Sequence, residues 1–193
     1  MKQIRELGNV DIYVIDQLMK GAIRSDQKIL DAGCGSGRNF SYLAKHNFNI
    51  TGIDPNEEHI RNLQQQFPEY KNHLHISSIE EFQTELSFDY IICSAVLHFA
   101  ENHNHFNQMF ERLASLLSKD GTLFIRMTTD QGLPGNYQNE TGVFNLPDGS
   151  TRYLTNRTQL SELLKEYNLK LAEPFKTVLV ENWRSMATIV MTK

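Results

Sequence analysis

The chain has 193 residues, a formal net charge of −4 and a sequence pI of about 6.0. Its length predicts a single domain over residues 1–193 that buries about 70% of its unfolded surface. No lysine–arginine cluster interrupts the sequence, so we expect no binding to nucleic acid phosphates. No apolar run is long enough to span a bilayer, and residues 1–6 lack the apolar region of a secretory signal. The two cysteines argue against a disulfide framework, and we therefore expect a cytoplasmic protein.

The first predicted element is a helix over residues 11–23, whose apolar residues recur at helical spacing. The predicted apolar face consists of Ile12, Ile15, Met19, Ala22 and Ile23. Tyr13 lies on the opposite, more polar side. Two interpretations stay open: a helix that packs on a sheet, or a cover over a bound cofactor.

Residues 28–54 predict a strand, a glycine loop, a helix and a second strand that ends in an acid. The glycines allow the backbone to turn tightly and to approach a ligand closely, because no Cβ intervenes. Asp54 ends the second strand, where its carboxylate can accept hydrogen bonds from two ribose hydroxyls. The spacing from Gly33 to Asp54 suits the roughly 20 residues expected for a ribose-binding acid. This pattern indicates a cofactor that contains adenosine.

Two positions in the glycine loop indicate which cofactor it is. A dinucleotide fingerprint needs its third glycine at the position that Arg38 occupies, whereas the third glycine here is Gly37. The carboxylate of Asp31 would repel a pyrophosphate and attract a ligand with an ammonium and a sulfonium group. S-adenosylmethionine carries both charges. The alternative is that Asp31 only caps the following helix and that the loop is an ordinary βα turn.

The remaining segments alternate between helix and strand, as a doubly wound α/β sheet requires. Helices are predicted over residues 56–67, over residues 106–117 and from Asn156 onward. Residues 118–121 should end the second of these helices, and a strand should follow over residues 121–127. Strand-like stretches near residues 169–181 and 184–192 finish the chain.

Residues 128–155 form an insertion outside the minimal core. Within it, residues 143–146 and 151–154 flank the sequence Pro147-Asp148-Gly149-Ser150, which predicts a hairpin because proline presets one dihedral and glycine supplies positive φ. Insertions at the carboxyl end of such a sheet lie over the ligand crevice. We expect a small lid that excludes water and favours a small substrate.

Two residues are candidates for contact with that substrate. His98 could take a proton or orient the acceptor, or it could be a packed, hydrogen-bonded histidine. Arg126 lies within an apolar run, where a charge is costly without a partner. It either pairs with a protein carboxylate or holds an anionic substrate. Weaker candidates are Arg152, Tyr153 and Trp183. His103 and His105 have no Asp, Glu or Cys at ligand spacing, so we expect no metal site.

Four ordered motifs resemble those of the class I S-adenosylmethionine-dependent methyltransferases. Residues 31–37 resemble their motif I, and residues 52–54 resemble the ribose-binding second motif. Residues 75–82 resemble the third motif, which contacts adenine, and residues 88–98 resemble the fourth, which lies beside the transferable methyl group. The resemblance covers essentially the whole chain. The loop followed by Arg38-Asn39 is more loosely similar to small stand-alone methyltransferases of the tellurite-resistance type and to methyltransferase type 11/12 domains.

The resemblance implies a Rossmann-like three-layer sandwich with a seven-stranded, mostly parallel sheet and an antiparallel edge strand. It also implies S-adenosyl-L-methionine as cofactor and S-adenosyl-L-homocysteine as product. The cofactor-binding positions that it implies are Asp31, Gly33, Cys34, Gly35, Gly37, Asn39, Asp54, Pro55, Ser78, Ile79 and Ser94. Ser78 occupies a position that is often Asp in this family, so the contact to the adenine amine should be weaker or made by the backbone.

We therefore expect an enzyme, a monomer or homodimer, that methylates a small molecule, and an anionic acceptor is an open alternative. Two other functions stay open. One is a non-catalytic module that binds S-adenosylmethionine and contacts a protein partner through the lid. The other is an NAD-dependent oxidoreductase, which binding of NAD(H) without binding of S-adenosylmethionine would favour.

Overall fold

The computed structural model describes residues 7–193. The expectation that residues 1–6 contain no secretory signal lies outside that range. The chain divides into two compact units, the first ending at Ile92 and the second running from Cys93 to Lys193. Within residues 7–193, no helix is both long and apolar enough to cross a membrane.

The first unit contains a parallel sheet with helices between its strands. Its elements are α1 (Ile12–Met19), β1 (Ile29–Ala32), α2 (Phe40–Lys45), β2 (Ile50–Asp54), α3 (Glu57–Gln66), a 3₁₀ turn (Pro68–His73), β3 (Leu74–Ile76) and β4 (Phe88–Ser94), which enters this unit as far as Ile92. The strand order is β3-β2-β1-β4, and every pair is parallel. Asp31 in β1 stands opposite Gly52 on one side and Ile92 on the other. The carboxyl ends of β1 and β2 therefore share one edge.

The strands of this unit are apolar on both faces, as expected of a buried parallel sheet. All four residues of β1 are buried, and so are the first four of β2. The helix α2 packs on the sheet through one face, on which Phe40, Leu43 and Ala44 are all buried.

The predicted apolar face of the first helix is right at Ile23, which is buried, and wrong at Ile12 and Met19. Ile12 and Met19 are 68% and 84% exposed, and the buried side chains of α1 are Val14 and Gln17. The helix is also shorter than predicted and ends at Met19. The physical reason lies at its first turn, where the N-cap Asp11 is buried and makes an ion pair with Arg38. This contact ties the start of the helix to the glycine loop, and Ile12 and Met19 are left exposed.

The second unit is dominated by antiparallel pairing. Its elements are a 3₁₀ turn (Leu97–Phe99), α4 (His103–Leu116), β5 (Leu117–Thr128), β6 (Val143–Asn145), β7 (Thr151–Tyr153), α5 (Arg157–Glu166), β8 (Lys170–Leu171), β9 (Lys176–Val180) and β10 (Arg184–Thr192). β10 pairs with β5, β8 and β9, each time in the antiparallel direction. The antiparallel pairing predicted for the last strands is confirmed, although the first predicted stretch is two strands rather than one.

The predicted boundary between α4 and β5 is wrong. Residues 118–121 were expected to end the helix, with the strand over residues 121–127, whereas the helix ends at Leu116 and β5 begins at Leu117. Asp120 nevertheless has a φ of +62°, and pairing with β10 starts only at Thr122. The Gly121 carbonyl accepts a 3.1 Å hydrogen bond from the amide of Lys193, which extends the ladder beyond the paired residues.

The predicted hairpin is present. β6 and β7 pair antiparallel, with Val143 opposite Tyr153. In the turn, Gly149 has a φ of +81° and the Asp148 carboxylate accepts a 2.9 Å hydrogen bond from the amide of Ser150. The Thr128 hydroxyl donates a 2.7 Å hydrogen bond to the carbonyl of Tyr153, so the end of β5 holds the base of the hairpin. That this hairpin acts as a lid stays a prediction.

Candidate functional site

The glycine loop after β1 has a backbone that few other residues could adopt. Gly33, Gly35 and Gly37 all have positive φ values, which L side chains rarely adopt. Gly37 is also sterically confined, because a Cβ there would lie 2.4 Å from Cδ2 of Leu63 and 2.7 Å from Oγ of Ser41. The loop must therefore run close to α2 and α3. Its own amides hold it in place, since those of Gly33 and Cys34 each donate a 2.9 Å hydrogen bond to the carbonyl of Ile53.

The carboxylate of Asp54 organises the end of β2. Its Oδ2 accepts a 2.8 Å hydrogen bond from the amide of Gly35, and its Oδ1 accepts a 2.9 Å bond from the amide of Asn56. His59 Nδ1 lies 3.5 Å from the same Oδ1. Each carboxylate oxygen has a second lone pair, so Asp54 can still accept hydrogen bonds from a diol. Pro55, the next residue, is exposed.

Asp31 is a buried carboxylate, and one of its oxygens accepts no hydrogen bond. It is 2% exposed, and the backbone amide of Phe40 donates a hydrogen bond to it, so Asp31 does contact the start of α2. Its Oδ2, however, is buried without any hydrogen-bond partner. Burial raises the pKa of Asp31 to about 7, against the opposing effect of the Arg38 charge. Such an orphaned acceptor favours a ligand that brings a positive charge and N–H donors.

The neighbouring Cys34 has no sign of a reactive thiol. It is 5% exposed, and burial followed by the charges of Asp31 and Asp54 raises the pKa of the thiol above its ordinary value. A thiol in this environment stays protonated and is a poor nucleophile.

A buried network joins the loop to the first helix. The Asp11 carboxylate forms a 3.1 Å ion pair with Arg38, and the amide of Asp11 donates a 3.0 Å hydrogen bond to Oδ1 of Asn39. Asp11 also caps α1 by accepting from the amide of Tyr13 at 2.9 Å. The sequence analysis missed Asp11. The available signal was its position as an N-cap directly before the helical run.

The third-motif residues lie next to Asp54 in this unit. The amide of Ser77 donates a 3.1 Å hydrogen bond to the carbonyl of Asp54. Ser78 is partly buried, and its hydroxyl donates a 3.2 Å bond to Oε2 of Glu81, while Ile79 is 3% exposed. The predicted adenine position is thus held beside the predicted ribose position.

In the second unit, the residues after β4 lie against β5. Ser94 is 8% exposed, and Ala95 has a φ of +64°. The Ala95 amide donates a 2.7 Å hydrogen bond to the carbonyl of Arg126. The structure therefore brings together the fourth motif and Arg126, which the sequence analysis singled out separately.

His98 is a buried histidine in a positive environment. It is 6% exposed, and its Nδ1 has no hydrogen-bond partner. Burial, together with the smaller effects of the Arg152, Arg184 and Arg126 charges, lowers the pKa of His98 to about 4. The imidazole is therefore neutral near pH 7 and can act as a hydrogen-bond donor or acceptor.

Two of these arginines are held by the hairpin. Arg184 pairs with the turn residue Asp148, and hydrogen bonds from Ser150 and Arg184 lower the pKa of that carboxyl. The guanidinium of Arg152 lies 4.8 Å from the ring centroid of Phe99. The sequence analysis missed Arg184 and the partnership with Asp148, because these residues are 36 positions apart and no local pattern links them.

Tyr153, a weaker candidate from the sequence, has a structural role instead. Its side chain is fully buried and stacks on Phe106 at a centroid distance of 4.6 Å. The hydroxyl makes a 2.7 Å hydrogen bond with Nδ1 of His103 and accepts another from Gln159. Trp183 is 55% exposed. Across residues 7–193, no group of three or more His, Cys, Asp or Glu side chains is arranged to hold a metal ion.

Comparison with known sequences points to one kind of enzyme. A family model described as a methyltransferase domain matches residues 30–123. The chain is 36% identical over 85 residues to a ubiquinone biosynthesis O-methyltransferase of Rickettsia felis, a match that covers 42% of this chain and 34% of the relative. The chain thus spans about a third of the length of the first curated relatives that it matches.

Comparison with solved structures gives the fold. The 1,6-didemethyltoxoflavin-N1-methyltransferase of Burkholderia thailandensis, solved with its substrate and S-adenosylhomocysteine, matches with a TM-score of 0.70 at 20% identity, over 93% of this chain and 75% of that one. An S-adenosylmethionine-dependent methyltransferase of Methanosarcina mazei matches with a TM-score of 0.70 at 20% identity, over 91% and 96% of the two chains. The predicted Rossmann-like α/β fold, with its mostly parallel sheet, is confirmed.

Proposed function

We propose that this chain, which belongs to the class I S-adenosylmethionine-dependent methyltransferase family, transfers the methyl group of S-adenosylmethionine to a small-molecule acceptor. The observation that carries the proposal is the orphaned Oδ2 of buried Asp31, next to a glycine loop that is held by Asp54. The relatives named above, whose printed names describe methyltransferases, support the same activity.

The residues of the first unit suit this cofactor at each of its parts. Asp31 offers an acceptor to the ammonium group, and Asp54 offers acceptors to the ribose diol. The loop that would border the cofactor contains Gly33, Cys34, Gly35 and Gly37. At Gly37 there is no room for a side chain. Around the remaining parts of the cofactor we place Asn39, Pro55, Ser78 and Ile79, while a cofactor contact by Ser94 stays a prediction from the family resemblance.

The chemistry asks the protein mainly for alignment. When bound, S-adenosylmethionine supplies a methyl group on a positively charged sulfur, which becomes a neutral leaving group. Holding the acceptor in line with that methyl can contribute about 7–11 kcal/mol, the range for proximity and orientation. A general base is needed only where the acceptor is protonated at the working pH.

On the acceptor side we propose His98 and Arg126. A neutral imidazole such as that of His98 can accept a proton from an acceptor hydroxyl or orient it. Arg126 would hold an acidic group of the substrate. Replacement of Arg126 by Met should therefore reduce turnover while the affinity for S-adenosylhomocysteine stays near that of the wild type. Loss of folding in that variant would instead indicate a structural ion pair.

Two measurements test the proposed function. Calorimetry should detect binding of S-adenosylmethionine and S-adenosylhomocysteine, and the absence of both would overturn the proposal. Incubation with a methyl-labelled cofactor and a panel of small phenols, amines, thiols and acids should give labelled product. Binding of the cofactor without transfer to any acceptor class would favour a non-catalytic binding module.

We further propose that the chain acts in the cytoplasm, on a small molecule and without nucleic acid, as a monomer or homodimer. In support, the sequence has two cysteines, too few for a disulfide framework, which suits a reducing compartment. Size-exclusion chromatography with light scattering distinguishes the two oligomeric states.

A further inference from the structure

His98 lies in a positively charged part of the second unit. Three guanidinium groups, those of Arg126, Arg152 and Arg184, act on this one imidazole. Asp148 pairs with Arg184. The guanidinium of Arg152 lies on the ring of Phe99, and cationic groups of this kind attract an anion.

Two buried atoms in this group lack hydrogen bonds that a ligand could supply. Nδ1 of His98 and Nε of Arg184 are both buried without a partner. A buried polar atom left in this state costs about 1–3 kcal/mol. The Nε–H of Arg184 can only donate, and Nδ1 of His98 donates in one of its two tautomers. An anionic oxygen group could accept from both.

An apolar surface lies beside His98 and Arg152. The ring of Phe99 is 59% exposed, its centroid is 4.6 Å from that of His98, and the Arg152 guanidinium lies over it. A ligand held by the arginines would therefore place its body against an exposed aromatic ring. Aromatic and aliphatic groups both gain from burial on such a surface.

We infer that Arg152, Arg184 and His98 form a binding site for the anionic oxygen group of the acceptor, so that the acceptor is a small organic acid with an apolar body. The inference rests on the proposed function, whose substrate class it names. Arginine suits this task because its planar fork can bind a carboxylate through two parallel hydrogen bonds. Asp148 then competes with the ligand for Arg184.

The test uses benzoate and its neutral isostere benzamide as probes. Both are titrated into the full chain, in the presence and absence of S-adenosylhomocysteine, by calorimetry and by NMR of the His98 imidazole. Benzoate should bind and perturb the imidazole signals, whereas benzamide should bind at least about tenfold more weakly, as expected when charge-assisted hydrogen bonds are lost. Benzoate affinity should also fall as salt is added.

Three variants make the test specific. Arg152→Met and Arg184→Met should each weaken benzoate binding by about tenfold or more. Asp148→Asn should strengthen it, because the variant removes the competing carboxylate. A purely structural role for the Asp148–Arg184 pair predicts the opposite result for Asp148→Asn. If Arg184→Met fails to fold, the other two variants still decide the question.

The inference would be overturned by equal affinities for benzoate and benzamide, by no detectable benzoate binding, or by weaker benzoate binding in Asp148→Asn. S-adenosylhomocysteine affinity, measured in the same samples, separates this outcome from failure of the proposed function. Normal cofactor binding with no preference for the anion removes only the acid acceptor. Lack of cofactor binding removes the methyltransferase proposal.

Discussion

The amide of Gly35 donates a 2.8 Å hydrogen bond to Oδ2 of Asp54, so one carboxylate holds both the glycine loop and the end of β2. If this carboxylate also binds the ribose diol, Asp54→Ala should weaken the affinity for S-adenosylhomocysteine by about 1.5–3 kcal/mol, the range for hydrogen bonds to a charged group. Calorimetry measures the change. Asp54→Asn keeps one acceptor oxygen, so its affinity for S-adenosylhomocysteine should lie between those of the wild type and Asp54→Ala. A dissociation constant that Asp54→Ala leaves unchanged would remove Asp54 from the ribose role.

A second prediction concerns Arg38, which pairs with Asp11 and whose charge lowers the pKa of the buried Asp31. The charge of Asp54 raises the pKa of Asp31, and the charge of Asp31 in turn raises the pKa of Cys34. Because an ammonium group binds the ionised carboxylate best, cofactor affinity should rise with pH as Asp31 loses its proton. Arg38→Met should move the midpoint of this rise to higher pH, and Arg38→Lys should restore it.

The control ligand for this prediction is 5′-methylthioadenosine, which keeps the nucleoside but has no ammonium group. Its affinity should respond much less to the same variants and to pH. Equal losses for both ligands in Arg38→Met would show that Arg38 only supports the fold of the loop. Coincident pH profiles for wild type and Arg38→Met would contradict the electrostatic role.

A third prediction uses two glycines of the same loop as a matched pair. At Gly37 a new Cβ would meet Leu63 at 2.4 Å, whereas at Gly35 nothing lies within 4 Å, and φ is positive at both. Gly35→Ala should therefore cost about 1 kcal/mol of unfolding free energy from backbone strain alone. Gly37→Ala should lower the unfolding free energy by about 1–3 kcal/mol more than Gly35→Ala does, because the side chains around the new Cβ must also shift. Urea denaturation measures both, and equal losses would contradict the close approach of the loop to α3.

The features predicted correctly from the sequence are those that local patterns encode. The hairpin turn is set by residues 147–150, and the start of α5 is set by Asn156, whose side chain accepts a 2.8 Å hydrogen bond from the amide of Gln159. The spacing from the glycine loop to Asp54 likewise lies within one βαβ unit. In each case the residues that decide the structure are neighbours in the chain or lie in adjacent elements.

The features that were missed depend on contacts between distant residues. The start of α1 is tied to the glycine loop by the ion pair between Asp11 and Arg38, residues 27 positions apart, and Ile12 and Met19 are exposed. The positive group around His98 is assembled from three separate segments. Arg126 stood out because it interrupts an apolar run, Arg152 was a weaker candidate, and Arg184 was missed. Tyr153 looked available in the sequence, but its burial depends on packing against Phe106.

The last prediction concerns pH and follows from two buried groups with opposite shifts. The pKa of His98 is about 4 in the folded chain against an ordinary 6.5, so the unfolded state binds the extra proton first as pH falls. Its contribution to the unfolding free energy is complete above about pH 6.5 and is lost toward about pH 4, at about 1.4 kcal/mol per pKa unit. The pKa of Asp31 is about 7 in the folded chain against an ordinary 3.8, so the folded state binds the extra proton between these values. Its contribution to the unfolding free energy is therefore lost as pH rises from about 3.8 to 7.

The two effects oppose each other between about pH 4 and 6.5, so the wild type should show a flat profile there and the single variants should not. His98→Asn removes the increase in stability that His98 contributes as pH rises. The unfolding free energy of this variant should therefore fall as pH increases through this window. Asp31→Asn removes the fall, and its stability should increase over the same range. Urea unfolding at a series of pH values measures all three chains. Parallel profiles for the wild type and both variants would mean that neither group is shifted as its burial requires.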